Sequence, residues 1–420
     1  MLHDTIELRA DAHPRLTTIV LLRGDRALAE ACLSALARCE TETVPSETIL
    51  VVLPSDELRR LVAGRVTGAR VIWTDVDLGT AVSWNLACAS ARAPLVALLH
   101  EDTVVRPGWQ TPLVACLESD PRVGIAGPRL ENPDGSLQNC GWVIARDGVT
   151  QQVNASSAPA AAANPGPLPV DLVSSACMAF DRRLWERLGG FDERFFPAIG
   201  VEIDFALAAW AVGRVVLCLR DVAVTHGGAA MVRSAHRAAD MELRHFLIPR
   251  NTGMLATKWR DWLADHPSCS GEPETVRALT SRRLEQRRLD AGQAPSSPGR
   301  AIPPPRRSVT EGAPVDADGA VPETVGAQAA AARADIMLEL TAALAAQRDG
   351  ARAETERLTE RLAAETGRIA ALEAEAATLR ERSAALDMVL DGGWWRLRGA
   401  VLGVRARALG LARRLRRPAR

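Results

Sequence analysis

An alternation along the first third of the chain leaves the fewest folds open. Short apolar runs at Leu16–Leu22, Thr48–Leu53, Ala69–Trp73 and Leu95–Leu99 read as strands. Between them the apolar residues take helical spacing. From Arg26 to Cys39 they recur at Leu28, Cys32, Leu33 and Leu36, and further helices begin at Leu58 and at Thr80. Strand and helix in turn predict a parallel α/β sheet with helices on both faces.

The run Leu95–Leu99 ends at once in His100, Glu101 and Asp102. In an open α/β sheet, ligands bind outside the carboxyl ends of the strands. A carboxylate there can hold a hard divalent cation, and the cation can neutralise a phosphate. Pro107-Gly108-Trp109 opens the next helix, and Val123 to Ala126 reads as a strand. The Ala-, Ser-, Pro- and Gly-rich stretch 150–168 reads as a mobile loop.

Further on, Asp171 to Met178 is expected to be a strand and Arg182 to Leu188 a helix. Gly189-Gly190-Phe191-Asp192-Glu193 forms a turn, and Val201-Glu202-Ile203-Asp204 opens a helix through Val212. Val215 to Leu219 and Val222 to Val224 read as strands that lead to His226.

A length of 420 residues predicts two or three units, and 47 % hydrophobic residues are ample for a core. The expected division is a globular domain over 1–270, a disordered Pro-rich linker over 271–325, a coiled coil over 326–390 and a basic amphipathic helix over 391–420. The linker composition is too polar to bury the apolar area that would offset its ordering entropy. In the coiled coil, Leu344, Leu358, Leu372, Leu379 and Leu386 share one heptad position; Leu362, Ile369 and Leu390 share its partner. Arg348, Glu365 and Ser383 interrupt the seam.

The eight cysteines include no C-x-x-C pair, which argues against a zinc site or a disulfide framework and fits a reducing compartment. The start, Met1-Leu2-His3-Asp4, lacks the pattern of a signal peptide, and no apolar run is long enough to span a bilayer. Lys258 is the only lysine and tyrosine is absent, which reads as coding bias.

The ordered set Gly79, Asn85, His100-Glu101-Asp102, Pro107-Gly108-Trp109, Gly189-Gly190-Phe191-Asp192-Glu193, Glu202-x-Asp204 and His226 resembles the family-two inverting glycosyltransferases, and among them the rhamnosyltransferase-like enzymes of bacterial surface polysaccharide assembly. The resemblance covers about residues 16–262. It implies a GT-A fold that moves a hexosyl or rhamnosyl unit from a nucleotide-diphosphate donor to a hydroxyl, with inversion. It also implies a divalent cation, Mg2+ or Mn2+. Asp102 matches the last aspartate of the family's D-x-D motif, and His226 matches a histidine that joins the metal site. Glu202 falls where the family places its base, with Asp204 the other candidate. The implied donor contacts are Gly79, Asn85, His100 and Glu101, with Asp25 as a substitute contact. Asp192 and Glu193 would shape the acceptor site. The chain departs from the family at three places: Leu53-Pro54 stands where a nucleobase-reading aspartate is usual, Leu22-Arg23-Gly24-Asp25 replaces a Pro-Thr-x-Asn pattern, and His100 replaces the first aspartate of D-x-D.

In the last thirty residues Trp394, Leu397, Val401, Val404, Ala408, Leu411 and Leu415 recur at three-and-four spacing among many arginines. This is the pattern of a helix lying in an anionic membrane surface, and no nucleic-acid reader motif accompanies it. The expectation is an enzyme bound peripherally to the inner face of the plasma membrane, acting on a glycan or lipid-linked glycan and able to oligomerise through its coiled coil. The alternative is a degenerate, non-catalytic scaffold that assembles glycan-synthesis partners.

Overall fold

The computed structural model describes residues 5–39, 44–163, 165–227, 234–269, 271–293, 303–305, 310, 319–391 and 394–415. Two compact units emerge, Met1–Thr341 and Ala342–Arg420.

The first unit is built on a ten-stranded mixed sheet. Its order from one edge is Pro167–Pro169, Val215–His226, Val123–Glu131, Cys177–Asp181, Leu95–His100, Leu16–Leu22, Ser46–Val52 and Ala69–Trp73. The last four strands are parallel, as the alternation predicts. Cys177–Asp181 runs antiparallel between two neighbours and joins that half to the other. Both faces are buried, which is why the strands read as continuous apolar runs. Ile19, Val51 and Leu98 point into one core, and Val20, Val52 and Leu99 into the other.

Four expectations change. Val215–His226 is one strand with a register irregularity between Leu219 and Ala223, not two. The stretch 150–168 is structured: Thr150–Gln152 pairs with Trp142–Ile144, Pro159–Ala163 is helical and Pro167–Pro169 forms the sheet edge. The strand expected from Asp171 begins only at Cys177. Asp171 itself is fully buried and bonded to the guanidinium groups of Arg283 and Arg287, each at 2.6 Å.

Those arginines belong to the fourth change. Pro273–Gly292, within the stretch read as linker, is a helix with Pro at its first turn. Its composition looks disordered because it buries little apolar surface, chiefly Leu279 and Leu284. The ion pairs to Asp171 and a stack of Arg287 on Trp210, 4.0 Å from the ring centre, hold the rest.

The long helix Glu323–Asp391 likewise begins inside the first unit. Val325 and Ala329 pack on Leu78, Val82 and Leu86, and Ile336 packs on Phe196 and Leu247. Just before it, Ala320 bridges to Trp73 at the sheet edge. The globular unit therefore extends to Thr341, well past residue 270. In the second unit the helix continues to Asp391, followed by a helix over Trp394–Leu415. Arg416, Arg417 and Arg420 lie outside the described residues. Among the described residues no helix is long and apolar enough to cross a membrane.

Candidate functional site

The central strand ends at His100, and the turn that follows carries Asp102. Thr103–Val104 then pairs antiparallel with Thr225 and His226, and the Gly227 amide donates to the Asp102 carbonyl at 2.8 Å. This short pairing joins two segments more than a hundred residues apart. It brings His100, Asp102 and His226 together, one potential ligand atom of each lying within 4.8 Å of the others. His226 Nε2 is 3.4 Å from an Asp102 oxygen.

The hydrogen bonds around His226 fix its tautomer. Gln138 Nε2 donates to the His226 carbonyl (3.3 Å) and to Asn132 Oδ1 (3.1 Å), so Gln138 Oε1 is left as an acceptor. His226 Nδ1, 2.9 Å from that oxygen, must donate to it. Nε2 is then the ring nitrogen that faces the Asp102 carboxylate. A ring nitrogen and a carboxylate oxygen at that distance attract each other through a proton or a cation between them. Burial would raise the Asp102 carboxyl, but the hydrogen bond and charge of His226 outweigh it and bring it down to about 2. Burial brings His100 down to about 4, so its ring is neutral and available as a nitrogen donor. His100 is held between Trp84, stacked at 6.1 Å, and Ser175 Oγ, 3.2 Å from Nε2. Two imidazoles and an ionised carboxylate are a donor set that fits a divalent cation. His100, read from sequence as a donor contact, thus belongs with the potential ligands. Gln138 escaped sequence reasoning because a lone glutamine in the short strand Leu137–Asn139 carries no signal.

The other expected donor contacts are largely occupied in holding the fold. Glu101 accepts from the backbone amides of Arg23 (2.7 Å) and Gly24 (3.4 Å), and burial pushes its carboxyl up to about 7. Asp25 caps the helix Arg26–Arg38 by accepting from Ala27 and Leu28. Gly79 has φ +67°, and a Cβ there would meet the Phe196 ring at 2.8 Å, so only glycine fits. Asn85 is fully buried. Its oxygen accepts from Phe191 N and Trp185 Nε1, and its nitrogen donates to Phe191 O and Glu193 Oε1. That is its full hydrogen-bonding capacity, so it clamps the Gly-Gly-Phe-Asp-Glu turn and has no group left for a donor.

The two acidic residues of that turn are bonded within the fold. Asp192 is fully buried and bonded to Arg194 and, at 2.7 Å, to Lys258 Nζ. Glu193 is buried against Asn85 and Thr310. Lys258 also reaches Asp204 at 2.8 Å, and Trp259 Nε1 donates to Asp204 at 2.7 Å. The lone lysine is therefore a buried bridge between two carboxylates.

Glu202, two residues earlier, differs from Asp204. It is half-buried and forms no ion pair with a described residue, and burial raises its carboxyl above the ordinary glutamate value. It follows Ile199 and Gly200, both with left-handed backbone (φ 69° and 97°). Asn251 Nδ2 pins that strained turn by donating to Ala198 O (2.9 Å) and Ile199 O (2.8 Å). Asn251 is a second residue that sequence reasoning missed.

No family model matches the chain. Over 236 residues it is 29 % identical to the O-antigen biosynthesis protein RfbC of Myxococcus xanthus, which covers 53 % of this chain and 17 % of that protein. Over 134 residues it is 31 % identical to the uncharacterized protein y4gI of Sinorhizobium fredii, covering 31 % of this chain and 15 % of the other. The chain thus aligns with less than a fifth of either relative's length. Similar solved structures include GalNAc-T7 with UDP, GalNAc and Mn2+ (TM-score 0.41, 15 % identity, 51 % of this chain and 44 % of that one). Others are the mannosyltransferase PcManGT of Pyrobaculum calidifontis with GDP-Man and Mn2+ (0.39, 18 %, 69 % and 79 %) and TarS of S. aureus (0.39, 11 %, 66 % and 90 %). In its mixed sheet and its ordered motifs, the chain is consistent with a GT-A glycosyltransferase.

Proposed function

We propose that this chain is an inverting glycosyltransferase that moves a sugar from a nucleotide-diphosphate donor to a hydroxyl acceptor in surface polysaccharide or lipid-linked glycan assembly. The observation that carries the proposal is the His100–Asp102–His226 group, whose potential ligand atoms lie within 4.8 Å of one another. These three residues would hold a divalent cation, and their nitrogen donors favour Mn2+ over Mg2+. Such a cation supplies charge neutralisation to a diphosphate leaving group. Glu202 takes the role of base. Among the described residues it alone of the acidic pair lacks a cationic partner, and its raised proton affinity suits accepting the proton of an attacking hydroxyl. The likeness to an O-antigen biosynthesis protein supports a place in surface polysaccharide assembly. The arginine-rich helix Trp394–Leu415 supports attachment to the anionic inner face of the plasma membrane.

The test is a thermal-shift screen of purified protein against nucleotide sugars, with and without Mn2+, followed by transfer assays. Asp102→Asn should abolish the Mn2+-dependent shift and transfer alike. Glu202→Gln should stop transfer while leaving the nucleotide-dependent shift near wild type. If Asp204→Asn alone stops transfer, the base is misassigned.

A second reading, a non-catalytic scaffold, draws on one feature. Leu53, where the resembled family carries a nucleobase-reading aspartate, is buried and apolar. Absence of any nucleotide-sugar shift with a well-folded protein would favour that reading.

A further inference from the structure

In the unit Ala342–Arg420, the long helix carries an apolar stripe open to solvent. Leu358, Leu362, Ile369, Leu372, Leu379 and Leu386 are each between 53 % and 69 % exposed. Their spacing of four, seven, three, seven and seven keeps them on one seam of 3.5 residues per turn. Leu358, Leu372, Leu379 and Leu386 take position d of the heptad, and Leu362 and Ile369 take position a.

We infer that this face pairs with a second copy of the chain as a parallel, in-register, two-stranded coiled coil. The charges beside the seam point to that occupant. In a parallel pair, each g residue faces the e residue five positions later in the other strand. The three successive pairs are Arg368 with Glu373, Glu375 with Arg380, and Arg382 with Asp387, and all three are of opposite sign. Within a single helix, residues five apart do not face each other. None of the six makes an ion pair with any described residue of its own chain, although nearby Arg352–Glu356 and Arg357–Glu354 do. Slipping the register by one heptad sets Arg368 against Arg380 and Glu375 against Asp387 on one flank. On the other flank it sets Glu375 against Glu373 and Arg382 against Arg380. These four pairs repel, against a single attractive pair, Arg361 with Glu373, so the charges favour both a partner and the unslipped register. Glu365 occupies position d, so the same register brings two copies of it together and loosens the seam there. The inference does not depend on what the first unit catalyses.

Sedimentation equilibrium of the full chain should show a monomer–dimer association. Glu375→Arg replaces two attractive pairs by two repulsive ones and should weaken the dimer by roughly tenfold or more. Adding Arg380→Glu to that variant should restore it. Glu365→Leu should tighten it. All these side chains are exposed, so the variants should remain folded, which circular dichroism checks. Leu379→Cys should cross-link to a covalent dimer on mild oxidation, beyond any seen with the wild-type chain, because only a parallel in-register pair sets identical d positions side by side. A chain that stays monomeric at all concentrations, a trimer, a Glu375→Arg dimer of unchanged affinity, a failed rescue, or absent Leu379→Cys cross-linking would each overturn the proposal.

Discussion

At the scale of single residues, Lys258 shows how composition can mislead. In a chain that otherwise uses arginine, one lysine reads as a remnant of coding bias. In the fold its ammonium is buried between Asp192 and Asp204, with a side chain only 5 % exposed. The site suits a compact point charge, whereas a planar guanidinium would need more room. Lys258→Met should therefore cost about 3–5 kcal/mol in urea denaturation, because it leaves buried carboxylates short of a counter-charge. Lys258→Arg should recover only part of that loss, and full recovery would show that the charge matters without its shape. Gln138 makes a second case. Gln138→Leu removes the acceptor that holds the His226 Nδ1 proton and so releases the tautomer. Mn2+ affinity, read by calorimetry, should fall about 10–100-fold with Asp102 and His226 intact. An unchanged affinity would mean that Gln138 does not orient the ring.

At the scale of elements, the parallel half of the sheet was legible because its strands are buried on both faces and so leave uninterrupted apolar runs. The site was legible where a motif had a local signature, as at His100-Glu101-Asp102. It was not legible at Asp192, Glu193 and Asn85, since an acidic turn and a buried clamp look alike until partners distant in sequence are known. The helix Pro273–Gly292 was hidden for the same reason: what fixes it is Asp171, more than a hundred residues away. That helix sets up a pH dependence. His266 packs against the cluster of Asp171, Arg283 and Arg287, and its Nδ1 donates to the Ile144 carbonyl at 2.9 Å. Burial first, and the two arginines next, hold its imidazole down to about 4, although Asp171 pulls the other way. An unfolded histidine titrates near 6.5. Between those values the unfolded chain binds the extra proton, so stability is complete above about pH 6.5 and is lost as pH falls toward 4. The loss attributable to His266 is at most about 3 kcal/mol. His100 is depressed in the same window, so the measurement is the difference between wild type and His266→Gln. That difference should shrink as pH is lowered from 7 to 4.5, and a constant difference would refute the assignment.

At the scale of the whole molecule, the site residues belong to the first unit, while the exposed heptad seam and the basic tail helix belong to the second. The two proposals for the second unit are linked by simple arithmetic. A single amphipathic helix binds an anionic surface reversibly, and salt screens its arginines over about 8 Å at physiological ionic strength. A dimer carries two such helices, and once one has bound, the other meets the membrane at high effective concentration. Vesicle binding should therefore depend on dimerisation even though the seam contributes no lipid contact. Truncation after Leu390 should abolish co-sedimentation with anionic vesicles and leave transfer to a soluble acceptor unchanged. Glu375→Arg, with its tail intact, should bind vesicles more weakly than wild type and lose that binding at lower salt. Its partner change, Arg380→Glu, should return both. If Glu375→Arg dissociates the dimer yet sediments with vesicles as well as wild type, each tail anchors independently. If the truncated chain still sediments, the anchor lies elsewhere, and the stripe of Val401, Val404 and Ala408 must serve protein packing instead.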